Sequence, residues 1–147
     1  MYKILVIEDE CQMRKNICTI LQMEEFEVIS AKDGREGVEK ALSEKPDLIL
    51  CDLMMPELDG EGVFEALNNS SDDNAPFIFL TARGNTAFFR RELPGGADGY
   101  LMKPITADEL LKVVTSKLPP DSNRRDAETQ RQMTAEAATS YESPKTE

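Results

Sequence analysis

Histidine is absent from this chain. That removes the side chain most often used as a general acid or base near neutral pH, and with it the commonest nitrogen ligand of zinc. Cysteine is scarce. Cys11, Cys18 and Cys51 are odd in number, show no C-x-x-C spacing and lie in segments that read as helix or buried strand, so they are expected to be reduced, packed thiols and not a disulfide or metal framework. Positive charge is in short supply as well, 17 lysines and arginines against 28 aspartates and glutamates, a formal net charge of -11. Such a surface disfavours generic attraction to nucleic acid or to an anionic membrane, although charge alone leaves room for a local basic patch. No apolar run approaches the roughly 20 residues that span a bilayer, and the opening "MYKILVIEDE" lacks the charged, apolar, small-residue order of a signal peptide. The expected location is the cytoplasm, with no membrane contact.

What is present is an alternation of apolar runs and amphipathic segments. The 147 residues, 40% hydrophobic, suit one domain with a single core and a short appendage. "YKILVIE" reads as a buried strand and is followed by a helix in which Met13, Ile17, Ile20 and Leu21 recur at helical spacing. "FEVISA" is a second strand; a second helix opens with Asp33 and Glu36 at N-cap and N3 and is expected to place Val38, Ala41 and Leu42 on one face. "PDLILCD" and "GEGVFEALNNS" form a third pair, "PFIFLT" and "NTAFFRRELPGG" (85–96) a fourth. In the fifth, "DGYLMKP" precedes a helix with a Thr106 to Glu109 capping box and a predicted buried face of Ala107, Leu110, Val114 and Leu118. Five strand–helix pairs predict an α/β fold, a mostly parallel, doubly wound sheet with helices on both faces. After Leu118 the chain turns polar. Residues 1–118 are therefore expected to form the folded domain and 119–147 a polar linker or C-terminal tail, with helix propensity over 124–138.

In an open parallel sheet, ligands bind outside the carboxyl ends of the strands. There this sequence gathers Glu8, Asp9 and Glu10 after strand one, Asp52 after "LILC", Thr81 at the end of strand four and Lys103 after strand five. Each has an ordinary explanation: helix capping for the acidic trio, a turn for Thr81, a solvated loop charge for Lys103. Asp52 resists one, because a charge at the rim of a core needs a partner. Carboxylates collected from separate strands repel unless a cation sits among them, and oxygen ligands favour Mg²⁺ over zinc.

The acidic pair after strand one, "DLMMPELDG" after strand three, "TA" after strand four and "GYLMKP" at strand five together resemble the receiver domain of bacterial two-component response regulators, over roughly residues 1–118. The resemblance implies the flavodoxin-like strand order 2-1-3-4-5. It also implies phosphorelay signalling, with Asp52 as phosphoacceptor from a phosphohistidine on a sensor histidine kinase or a histidine phosphotransfer protein. A carboxylate attacking phosphorus needs no general base, which accounts for the missing histidine. Glu8 and Asp9, together with Asp52 and the backbone carbonyl of Met54, would hold Mg²⁺ or Mn²⁺, Asp9 as a direct ligand and Glu8 directly or through water. Lys103 would pair with the phosphoryl group, Thr81 would donate its hydroxyl to it, and Lys103–Pro104 would be a cis peptide. Thr81 and Tyr100 would form the switch, altering the face made by the fourth helix, fifth strand and fifth helix. Such a protein catalyses its own phosphorylation and dephosphorylation but is primarily a switch.

Two other classes compete. A haloacid dehalogenase-like phosphatase also combines Asp, Thr and Lys on a parallel sheet, but its nucleophile follows strand one in a D-x-D pattern, where this chain reads "EDE". A pseudo-receiver that binds partners without phosphorylation would ordinarily lack Asp9, Asp52 or Lys103. Two positions near the site, Met54 and Arg83, predict slow autodephosphorylation, since a thioether does not orient an attacking water and a long guanidinium stem can cover the site. On the output face, Phe89 and Leu93 are expected to be buried and Phe88 exposed, a candidate anchor for a phosphorylation-dependent homodimer or protein target. Gly99 stands where a polar dimer of the transcription-factor subgroup would carry an acidic residue. Nothing after Leu118 is long or apolar enough to predict an output domain, so direct contact with nucleic acid is not expected.

Overall fold

In the computed structural model, residues 1–70, 75–82 and 98–118 are described. Five strands make one parallel sheet: β1 (Lys3–Ile7), β2 (Glu27–Ala31), β3 (Leu48–Asp52), β4 (Phe77–Ala82) and β5 (Gly99–Lys103). Their order is β2-β1-β3-β4-β5, the predicted 2-1-3-4-5. The described helices are α1 (Cys11–Met23), α2 (Gly34–Glu44), α3 (Gly60–Ser70) and α4 (Ala107–Lys117). The helix predicted over 85–96, with Phe88, Phe89 and Leu93, lies outside the described residues, as do Arg83 and the predicted tail 119–147.

The sheet separates two cores, because alternate strand residues point to opposite faces. On one side Leu5, Ile7, Ile49, Cys51, Phe77 and Phe79 pack with Ala41 of α2 and Val63, Phe64 and Leu67 of α3. On the other, Ile4, Val6, Leu48, Leu50, Ile78 and Leu80 meet Ile17 and Leu21 of α1 and Leu110 and Val114 of α4. With helices on both faces, the central strand β3 is buried along its whole length, as its unbroken "LILC" run requires. Glu10 caps α1 by accepting from the Met13 N–H at 2.7 Å; Asp33 caps α2, accepting from the Glu36 N–H at 2.8 Å. The Thr106 and Glu109 capping box is present in α4.

Three expectations need correction. Ala107 is exposed: it is the first residue of α4 and precedes the turn that reaches the sheet, leaving Leu110 and Val114 buried and Leu118 partly so. Leu42 is exposed too, because the buried face of α2 runs through Gly34, Gly37 and Ala41, flanked by Val38. All three cysteines are free thiols, but only Cys51 is fully buried; Cys11, the first residue of α1, faces solvent. Among the described residues no helix is long and apolar enough to cross a membrane.

Candidate functional site

Parallel register aligns the carboxyl ends of the strands. Ile7 is opposite Cys51, Asp52 opposite Leu80, and Ala82 opposite Lys103, so residues that close β1, β3, β4 and β5 reach one edge together. The ladder continues past β3, with the Leu53 N–H donating to the Leu80 carbonyl at 2.8 Å. Gly60, the first residue of α3, then brings the helix against the backbone that carries Asp52. A Cβ there would stand 2.6 Å from the Asp52 carbonyl oxygen.

At that edge one carboxylate oxygen from each of Glu8, Asp9 and Asp52 lies within 4.8 Å of the others. Glu8 and Asp52 are buried and Asp9 is exposed. The Lys103 ammonium sits between the two buried groups, 3.1 Å from Glu8 Oε1 and 3.3 Å from Asp52 Oδ2. The Lys103–Pro104 peptide bond is cis. Thr81 is fully buried near the end of β4. Met54 donates its backbone N–H to Asp52 Oδ1 at 3.3 Å, while the residue as a whole is 65% exposed. Tyr100, opposite Phe79 on β5, is 43% exposed.

Glu8 is the residue that the sequence described least well. It is wholly buried, beyond what helix capping requires; Glu10 does that capping. Its Oε2 accepts from the Glu10 N–H at 3.1 Å. Its Oε1 is paired in charge with Lys103 but accepts no hydrogen bond. Burial and then the negative charge of Asp52 push the Glu8 carboxyl up to about 7, against the opposing pull of the Glu10 N–H and Lys103. Burial by itself would lower the Lys103 ammonium, but the charges of Asp52 and Glu8 outweigh it and hold the group above its ordinary value. Burial pushes the neighbouring Cys51 thiol well up, making it a packing group and not a nucleophile.

Another residue escaped the sequence reading. Arg14, on α1, donates from Nη1 to the carbonyl oxygen of Glu8 at 2.9 Å. A basic residue shortly after an acidic cluster was the available signal, but spacing does not reveal that the side chain turns back over the strand end.

A buried carboxylate oxygen without a hydrogen bond, grouped with two others and with no histidine or thiolate donor in the group, fits a hard cation with oxygen ligands. A carboxylate held beside an ammonium and a buried hydroxyl on the adjacent strand also suits capture of a phosphoryl group, whose transfer depends mostly on positioning and charge neutralisation.

The comparisons with known proteins point the same way. The family model described as "Response regulator receiver domain" matches residues 4–115. The probable transcriptional regulator ycf27 of Cyanophora paradoxa is 42% identical over 116 residues, 79% of this chain and 48% of that protein. The response regulator MprA of Mycolicibacterium vanbaalenii is 38% identical over 109 residues, 74% of this chain and 47% of that protein. The chain spans about half the length of the curated relatives it matches. Among solved structures, a response regulator receiver domain protein from Clostridium thermocellum has a TM-score of 0.74 at 28% identity, covering 86% of this chain and 98% of its own. The chemotaxis protein CheY4 of Vibrio cholerae has a TM-score of 0.73 at 31% identity, covering 80% and 99%.

Proposed function

Because the chain belongs to the response regulator receiver domain family, whose role is phosphorelay signalling, we propose that residues 1–118 accept a phosphoryl group on Asp52. The donor is a phosphohistidine of a sensor histidine kinase or a histidine phosphotransfer protein, met in the cytoplasm. The observation that carries this reading is the gathering of Glu8, Asp9 and Asp52 oxygens at the strand ends with Lys103 3.3 Å from Asp52.

In the proposed step an Asp52 oxygen attacks phosphorus in line, forming the O–P bond of an acyl phosphate as the P–N bond breaks. The electron pair of that bond returns to the departing imidazole. The Met54 N–H holds one Asp52 oxygen, leaving the carboxylate a fixed orientation. Lys103, already poised between Glu8 and Asp52, follows the charge onto the phosphoryl oxygens. Thr81 donates its hydroxyl to another of those oxygens. Glu8, Asp9, Asp52 and the Met54 carbonyl would hold Mg²⁺, with Mn²⁺ as substitute. When bound, the ion supplies neutralisation of charge on the transferred group.

Phosphorylation places roughly -1.5 to -2 charge where a carboxylate stood. Thr81 and Tyr100 are the proposed responders, Thr81 by moving toward the phosphoryl group and the half-exposed Tyr100 by turning inward. The partner of the altered face is a second copy or a protein target. The ycf27 relatives are described as probable transcriptional regulators, and the matched segment is 48% of their length; for the present residues no direct nucleic-acid contact is proposed.

The test is incubation with a small acyl phosphate donor and Mg²⁺, followed by mass spectrometry. A single phosphoryl addition lost in Asp52→Asn supports the reading. Rapid turnover of phosphate esters would indicate the phosphatase class, and an unmodified protein would indicate a pseudo-receiver.

A further inference from the structure

Two of the three acidic residues of the site, Glu8 and Asp9, belong to the junction between β1 and α1, where Glu8, Asp9 and Glu10 follow one another directly after the last paired residue, Ile7. Three consecutive carboxylates repel one another. A junction that carries them keeps its shape only if its backbone is tied down. The Glu8 N–H is tied to the Ala31 carbonyl at 3.1 Å, and Glu8 Oε2 accepts from the Glu10 N–H at the same distance. The Glu8 carbonyl is tied by the Arg14 guanidinium at 2.9 Å.

The position of Arg14 is not what helix electrostatics favours. It lies near the amino end of α1, where the helix dipole disfavours a cation. Its own backbone N–H bonds to the Glu10 carbonyl at 3.0 Å, so the residue is fixed one turn above the junction with its side chain folded back over it. The guanidinium stays charged at every relevant pH and presents a planar, directional donor.

We propose that Arg14 is a positioning residue for the divalent-cation site: by holding the Glu8 carbonyl, it fixes the β1–α1 junction from which Glu8 and Asp9 present their carboxylates. The inference rests on the proposed metal site. A role for the Arg14 charge alone would have the opposite sign. If Arg14 acted only through its charge, removing it would make the acidic cluster more negative and tighten cation binding. If it acts by holding the backbone, removing it lets the carboxylates drift and weakens cation binding. Loss of an outer partner that orients metal ligands commonly costs roughly 10-fold or more in affinity.

The experiment is calorimetric titration of Mg²⁺ into the full chain stripped with chelator, for the wild type, Arg14→Met and Arg14→Lys, with melting curves recorded in the absence of cation. Arg14→Met is expected to bind Mg²⁺ roughly 10-fold more weakly, and Arg14→Lys to fall between it and the wild type. Equal or tighter binding by Arg14→Met overturns the inference, as does a lowered melting temperature with unchanged Mg²⁺ affinity, which marks packing alone. If Arg14→Met does not fold, Arg14→Lys decides: weakened binding supports the inference, and wild-type affinity overturns it. A wild type that takes up no Mg²⁺ removes the metal site and the inference with it. A wild type that binds Mg²⁺ and is phosphorylated on Asp52, beside an Arg14→Met variant that binds as tightly, removes only the inference.

Discussion

The Lys103 ammonium rests 3.1 Å from a carboxylate oxygen of Glu8 that is sealed from solvent. The pairing is incomplete compensation, since the Glu8 carboxyl remains near 7 in spite of it, raised from 4.5. An acid with a raised pKa in the folded state keeps a proton that the unfolded chain has released. Stability therefore falls as pH rises from about 4.5 to about 7. The Lys103 contribution has a different window: its raised pKa leaves it fully present at neutral pH, and it is lost only as the ammonium titrates in alkali. Denaturant titrations without metal should show wild type losing on the order of 3 kcal/mol across the Glu8 window relative to Glu8→Gln. Excess Mg²⁺ should reduce that loss by favouring the ionised carboxylates. Parallel pH profiles for the two proteins would contradict the burial of an ionisable Glu8.

Asp9 separates cation binding from folding. It belongs to the acidic group but is exposed, so its removal should leave stability within ~0.5 kcal/mol. Asp9→Ala is expected to weaken Mg²⁺ binding by roughly 10-fold or more and to slow phosphorylation of Asp52 in proportion. Phosphorylation that proceeds undiminished in excess chelator would remove the ion from the mechanism.

Much of this arrangement was legible beforehand for a physical reason. Strand and helix periods differ, so the alternation gave the parallel sheet, and strand ends are marked by the residue at which an apolar run stops. Asp52 after "LILC" and Lys103 after "GYLM" were found in that way. Burial at element ends was not legible, because it depends on what a neighbouring segment covers. Ala107 and Leu42 fit a helical stripe yet face solvent, and Glu8 resembles a capping residue yet lies in the interior. Arg14 was missed for a related reason: the target of a long, flexible side chain is set by tertiary packing and not by spacing.

Gly60 offers a test of the backbone beneath Asp52. A methyl group there would meet the Asp52 carbonyl oxygen at 2.6 Å and Leu53 Cα at 2.8 Å, atoms that belong to backbone and cannot step aside. Gly60→Ala should cost about 1–3 kcal/mol and lower the phosphorylation rate, because the displaced segment carries the nucleophile. Gly99 is the control. A Cβ there would meet Lys117 Cε at 3.7 Å, an ordinary contact, so Gly99→Ala in β5 should be neutral or stabilising by up to ~1 kcal/mol. Urea unfolding of both variants checks the contrast, and equal stabilities would show that the backbone at Asp52 yields.

The lifetime of the phosphoryl group should depend on Met54. Its backbone N–H is tied to Asp52 Oδ1, which anchors the residue beside the reacting carboxylate, and the residue is 65% exposed. Water attacking the acyl phosphate must be oriented as it approaches, and a thioether, a weak acceptor with no donor, does this poorly. Asparagine has an amide oxygen and two N–H donors on a side chain short enough to stay near the backbone tether. Wild type is therefore expected to hold its phosphoryl group for long periods, and Met54→Asn to release it several-fold faster without a change in fold. Arg83, the other position assigned to this effect in the sequence, lies outside the described residues, so the single variant is the cleaner test. Decay of the phosphorylated species, followed by mass spectrometry after removal of the donor, gives the half-life; the same half-life in wild type and Met54→Asn would show that access of water is controlled elsewhere.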